Sequence, residues 1–164
     1  MKKLLFVALA ISLLTGQGSQ AQSANRSIKG VWRVVEATVT GPGARTISFA
    51  GRPNLTLITD KHYSRVEVQA DGPRPAVADV AKATADELRA AWGPFVAEAG
   101  TYELAAGGLV TMRPVASKNP AVMGPAVFIT YSYQLDGDTL SLTQQRNQNG
   151  PFNNPFTLKL TRVE

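Results

Sequence analysis

From Lys29 onward the chain is a succession of short alternating segments, each cut by Gly, Pro, Asn or Asp after roughly ten residues, a rhythm that points to antiparallel strands. The first segment runs from about Lys29 to Thr40. Strict alternation places Trp32, Val34, Glu36 and Thr38 on one face and Val31, Arg33, Val35, Ala37 and Val39 on the other. Gly41-Pro42-Gly43 breaks it, a short strand is expected at Thr46 to Ala50, and Gly51-Arg52-Pro53 breaks the chain again. Asn54 to Thr59 and His62 to Gln69 form a hairpin across Asp60-Lys61. Five further strands are expected at Thr101 to Leu104, Leu109 to Arg113, Ala126 to Leu135, Thr139 to Arg146 and Phe156 to Val163. Gly107-Gly108 and Asp136-Gly137-Asp138 are hairpin turns between them. The polar stretch Asn147 to Pro155 reads as a long hairpin loop.

One segment breaks the rhythm. Thr84-Ala85-Asp86-Glu87 has the form of a capping box, and Leu88, Trp92, Phe95 and Ala99 follow at helical spacing. A helix near residues 84–99 is therefore expected, kinked or split by Pro94 and closed by Gly100. An all-β chain of eight or nine short strands with a single inserted helix is most simply an antiparallel up-and-down barrel of about eight strands. Closure removes the edges that such a meander would otherwise leave open.

The N-terminus has a different character. Met1-Lys2-Lys3, the apolar run Leu4 to Leu14 and the small residues of Ser19-Gln20-Ala21 have the layout of a secretory signal peptide. The expectation is a leader at residues 1–21, cleavage near Ala21, a barrel domain at 22–164, and a periplasmic or secreted protein with no stable membrane anchor. No cysteine occurs, which removes disulfides, thiol catalysis and a lipid-modified cysteine. The formal net charge of +5 includes Lys2 and Lys3, and the remaining basic residues are scattered rather than clustered, which argues against nucleic-acid binding.

The order and spacing of several short motifs resemble the bacterial lipocalin-like domain family. They are Gly30-Val31-Trp32, Asp86-Glu87-Leu88 through Phe95, Ala99-Gly100-Thr101-Tyr102, Gly107-Gly108, Asn119-Pro120 with Gly124, and Tyr133 through Leu142. The resemblance implies a calycin-type barrel whose interior holds a small, largely apolar molecule. It also implies a structural role for Trp32 as a plug at the closed end, stacked under Arg162 or Arg146 as a cation–π pair. Met112 stands where the family is expected to carry a histidine, so no role built on that histidine transfers.

Few residues offer chemistry. His62 is the only histidine and sits beside a tight turn, so neither a metal site nor a catalytic triad is expected, and no cofactor is called for. If Trp32 points inward, alternation sends Glu36 inward too, where Arg65, Arg113 or Arg146 could pair with it. Tyr131 and Tyr133 share the face of Val127, Ile129 and Leu135 and could orient a polar group through their hydroxyls. The candidate ligand-binding set is therefore Trp32, Glu36, Arg113, Tyr131 and Tyr133. The first reading is an exported, non-catalytic protein that binds a small hydrophobic or amphipathic molecule. The second is a cofactor-independent isomerase or cyclase with Glu36 as base and Tyr131 as donor. A third, a surface-mediated inhibitor or interaction module, would act through its outer surface or the amide-rich loop from Gln144 to Pro155.

Overall fold

The computed structural model describes residues 27–164, so the expected leader lies outside the described residues. The strands are β1 (Gly30–Val39), β2 (Arg45–Ser48), β3 (Asn54–Ile58), β4 (His62–Val68), β5 (Phe95–Ala105), β6 (Leu109–Ser117), β7 (Ile129–Asp136), β8 (Thr139–Asn147), β9 (Gly150–Pro151) and β10 (Phe156–Arg162). Among the described residues one helix, α1 (Ala85–Trp92), lies between β4 and β5, and one 3₁₀ turn spans Pro120–Val122. Hydrogen-bonded neighbours run β10-β1-β3-β4-β5-β6-β7-β8, and β8 pairs with β10 from Thr143↔Thr157 to Thr139↔Thr161. That last pairing closes an antiparallel barrel of eight strands. β2 adds to β1, and β9 folds back on the end of β8.

Turn chemistry makes the meander possible. Gly107 and Gly108 have φ of 79° and 71°, a left-handed pair that lets β5 turn directly into β6. At Gly100 the reason for glycine is space. A Cβ there would stand 2.0 Å from the Arg113 carbonyl oxygen, at the bulge where β5 and β6 approach. Gly100 is thus a strand residue and not the end of a helix.

The helix is shorter than its spacing suggested. Its capping box forms as expected, with the Glu87 N–H donating to Thr84 Oγ1 at 3.2 Å and the Thr84 N–H donating to Glu87 Oε2 at 2.8 Å. α1 then stops at Trp92, because Pro94 supplies no N–H to continue it. Phe95 and Ala99 belong to β5, so the expected stripe from Leu88 to Ala99 does not exist. Trp92 and Phe95 still meet edge to face at 6.4 Å, with Arg74 over both rings. Lys118 ties this corner down by donating to the carbonyls of Trp92, Gly93 and Phe95.

β1 carries the main irregularity. It pairs with β3 only from Gly30 to Trp32, and with β2 from Glu36 to Val39. Between the two, Asn54 substitutes its side chain for a missing strand. The Val34 N–H donates to Asn54 Oδ1 at 2.7 Å, and Asn54 Nδ2 donates to the Val34 carbonyl at 3.0 Å. A buried amide that satisfies both backbone groups of one residue removes a cost of about 1–3 kcal/mol per group. The β1–β10 ladder shifts register between Val34 and Glu36, a β-bulge. Ala37 therefore takes the next buried position, and Glu36 faces outward opposite Lys159 and Ser48. This corrects the expectation that Glu36 shares the inward face of Trp32. The bulge inserts one residue, and one residue is enough to exchange the faces.

The core follows the inward residues. Trp32, Val110, Leu140 and Leu160 are its most enclosed side chains, packed with Val34, Ile58, Tyr63, Tyr102, Met112 and Leu142. The first described residues meet the C-terminal segment at the Trp32 end of the barrel: the Val31 N–H donates to the Glu164 carbonyl at 3.0 Å, and Arg162 donates to the carbonyls of Ser27 and Lys29.

Candidate functional site

At the end of the barrel opposite Trp32, a cavity of about 420 Å³ opens between β1, β2, β4 and β10. Ala37, Val39, Ile47, Phe49, Phe156 and Leu158 supply its apolar wall, and Arg52, Arg65, Glu67 and Gln69 its polar one. The departure of β3 from β1 makes room for it, since β2 and Phe49 line the side where a continuous β1–β3 ladder would have run. Arg52 stacks on Phe49 at 5.4 Å and pairs with Asp71, which holds the rim.

The polar wall continues into the barrel. Tyr63, Arg65 and Glu67 alternate along β4, and registration brings Arg65 opposite Glu98 of β5 and Thr56 of β3. The Tyr63 hydroxyl donates to Glu98 Oε1 at 2.8 Å, and Gln69 Nε2 donates to Glu67 Oε1 at 2.6 Å. Arg65 Nε stands 3.9 Å from Glu98 Oε1, close enough for attraction and too far for a hydrogen bond. Among the described residues, Arg65 Nε is the buried side-chain polar atom that has no hydrogen-bond partner. Tyr131 is buried beside this group, opposite Gln144.

Burial and neighbouring charge act together on Arg65, Tyr63 and Tyr131. Burial works against the Arg65 charge, but Tyr131, Glu98, Glu67 and Tyr63 around it outweigh burial and raise its pKa. Burial, then the Glu98 charge and its hydrogen bond, push the Tyr63 hydroxyl well above the ordinary tyrosine range, and burial likewise raises Tyr131. The Arg65–Glu98 attraction is worth roughly 4 kcal/mol at an effective dielectric of about 20. Taking each ion out of water costs several kcal/mol, so the pair adds little net stability. Stability alone therefore does not explain why this barrel places a guanidinium and two carboxylates where aliphatic side chains would fit.

The expected site residues are dispersed. Trp32 is 0% exposed, donates from Nε1 to the Ile28 carbonyl at 2.8 Å, and lies under Arg162 at 4.1 Å from the ring centroid. It plugs the closed end and does not line the cavity. Arg146 stacks elsewhere: with Arg113 it brackets Phe128, at 5.6 and 5.4 Å. Arg113 alternates with the inward Met112 and Pro114, so it leaves the interior and does not join Glu36. Tyr131 is inward and borders the polar cluster. Tyr133 is half-buried against the core opposite Leu142, one step nearer the closed end. His62 is exposed, on an outer apolar groove with Leu57 and Val115.

Of the residues that do converge, Arg65 was expected only as one possible partner of Glu36, and Tyr63, Glu67 and Glu98 escaped the sequence reading, for a physical reason. β4 is inside out. Its apolar residue Val66 is 40% exposed, as are Leu57 on β3 at 39% and Val115 on β6 at 68%, whereas its charged residues face inward. The usual rule would have turned the strand the other way. The available signal was the run of four polar or aromatic residues at alternate positions from Tyr63 to Gln69.

A family model described as a lipocalin-like domain matches residues 29–162. The chain belongs to the lipocalin-like domain family. No curated protein matches it. The match covers every barrel strand and agrees with the closed eight-stranded ring, a fold that in general binds small molecules. In this lipocalin-like barrel no helix among the described residues is long and apolar enough to cross a membrane. Nor do three or more His, Cys, Asp or Glu side chains among them gather as a metal site.

Proposed function

We propose that this lipocalin-like protein is exported and carries a small amphipathic molecule in the cavity opposite Trp32. The apolar body of the ligand rests on Val39, Ile47, Phe49, Phe156 and Leu158, and its polar end reaches toward Arg65, Glu67 and Gln69. The observation that carries this reading is the charged cluster set inside a barrel whose core is mainly apolar, directly beneath a cavity of about 420 Å³. Small-molecule sites have this composition, a largely apolar wall with a few fixed polar groups, and a volume of this order.

The test is native mass spectrometry of the protein purified from its own cells, followed by denaturation and identification of what is released. A stoichiometric passenger and a mature chain beginning at Gln22 are expected. A protein that is empty and also takes up no apolar dye overturns the carrier reading, and a full-length chain retained in the cytoplasm overturns export. The isomerase alternative loses the base it was given, because Glu36 lies on the outer face.

A further inference from the structure

The carrier reading leaves the chemistry of the buried end of the ligand open, and the arrangement around Arg65 narrows it. Three formal charges meet there, one guanidinium and the two carboxylates of Glu67 and Glu98. Each carboxylate already accepts a hydrogen bond from a neutral donor, Glu98 from Tyr63 and Glu67 from Gln69. The donor group left over is the Arg65 guanidinium, whose Nε is buried and without a partner among the described residues. The Arg65 side chain is 25% accessible although its strand faces inward, and Arg65 is one of the residues lining the cavity.

We infer that the ligand presents an uncharged hydrogen-bond acceptor, a ketone, ester or amide carbonyl oxygen, to Arg65, and that the site selects against a carboxylate. This inference rests on the carrier reading. The buried Nε is out of a ligand's reach, but the accessible part of the guanidinium carries further N–H donors at the cavity wall, and an acceptor oxygen of the ligand completes them. A carboxylate would accept as well, but it would be the third anionic group around one cation. Like charges brought together away from water are strongly disfavoured. The second cation at the rim does not restore the balance, because Arg52 is held by Asp71. A cationic amine would meet the carboxylates, but it would offer the Arg65 guanidinium no acceptor and would face a like charge.

The experiment displaces a neutral naphthylamine dye from the intact barrel at neutral pH with four probes of similar length: methyl nonyl ketone, methyl decanoate, decanoate and decylamine. The ketone and the ester are expected to compete at least tenfold more tightly than decanoate. In Glu98→Gln, which keeps an acceptor for Tyr63 but removes one negative charge, decanoate should recover most of that deficit. In the double variant Arg65→Met, Glu98→Gln, which removes the guanidinium together with one of its two carboxylates and leaves Glu67 on its Gln69 donor, the ketone and ester should lose their advantage over a hydrocarbon of the same length. Tightest binding by decanoate or by decylamine would overturn the inference and leave the carrier reading intact. A barrel that binds neither dye nor any of the four overturns both.

Discussion

The two ends of the barrel solve the same problem in opposite ways. At the closed end the polar groups have local partners: the Trp32 indole donates to Ile28, its ring lies under Arg162, Tyr102 donates to the Thr59 carbonyl, and Val31 donates to the Glu164 carbonyl. At the open end the strands separate, β2 and Asn54 replace a ladder, and a charged cluster sits under a cavity with one donor unmatched. The first arrangement spends its residues on stability. The second leaves interactions to be completed by something else, as sites for ligands do.

If that division holds, substitutions should separate stability from binding according to the end they touch. The largest effect is expected for Trp32→Ala, which empties the most enclosed position of the core and should lower unfolding free energy by about 4 kcal/mol. Chemical denaturation measures it, and dye affinity of the folded fraction should not change. A large affinity loss would mean the two ends are not independent. Asn54→Ala strips the Val34 N–H and C=O of their buried partners and should cost about 3 kcal/mol. Because Asn54 sits where the wall divides, this variant should also loosen the cavity, seen as faster amide exchange at Val34 and weaker dye binding. Phe156→Ala sharpens the contrast from the other side. Half-buried on the cavity wall, it should cost about 2 kcal/mol, near half of a full core truncation, while dye affinity falls at least tenfold. Thr84→Ala is the smallest and belongs to neither end. Loss of the capping box should weaken α1 by about 1 kcal/mol, visible as faster exchange at Glu87 and Leu88 with barrel unfolding and dye affinity unaltered.

The strand plan was legible because its signals are local. Gly107-Gly108 and Asp136-Gly137-Asp138 turn where alternation ends, and the hairpin from Asn54 to Gln69 forms across Asp60-Lys61, with the Thr59 N–H donating to the His62 carbonyl. The stacking of Trp32 under Arg162 was one of the two pairings that the resemblance implied, Arg146 being the other. The open end was not legible, because what shapes it is not local. Nothing in Val34-Val35-Glu36 marks a bulge, which exists because β1 changes partner from β3 to β2. Phe95 and Ala99 fit helical spacing as well as strand alternation, and the decision fell to Pro94 together with the pairing of β5 against β4. Arg65 and Glu98 lie on different strands separated by α1, and only cross-strand register reveals that they face each other.

The pairing of β1 with β10, Trp32 opposite Arg162, also sets an order of events in folding. Contacts between residues so far apart in the chain carry a large loop-closure cost and form late. β10 supplies the arginine over Trp32 at one end and Phe156 and Leu158 at the other. Until the last strand of the chain docks, neither the plug nor the cavity wall is complete. A nascent chain stalled before Phe156 has an open sheet in place of a barrel, and it gains the ability to seal itself and to hold a ligand in the same step.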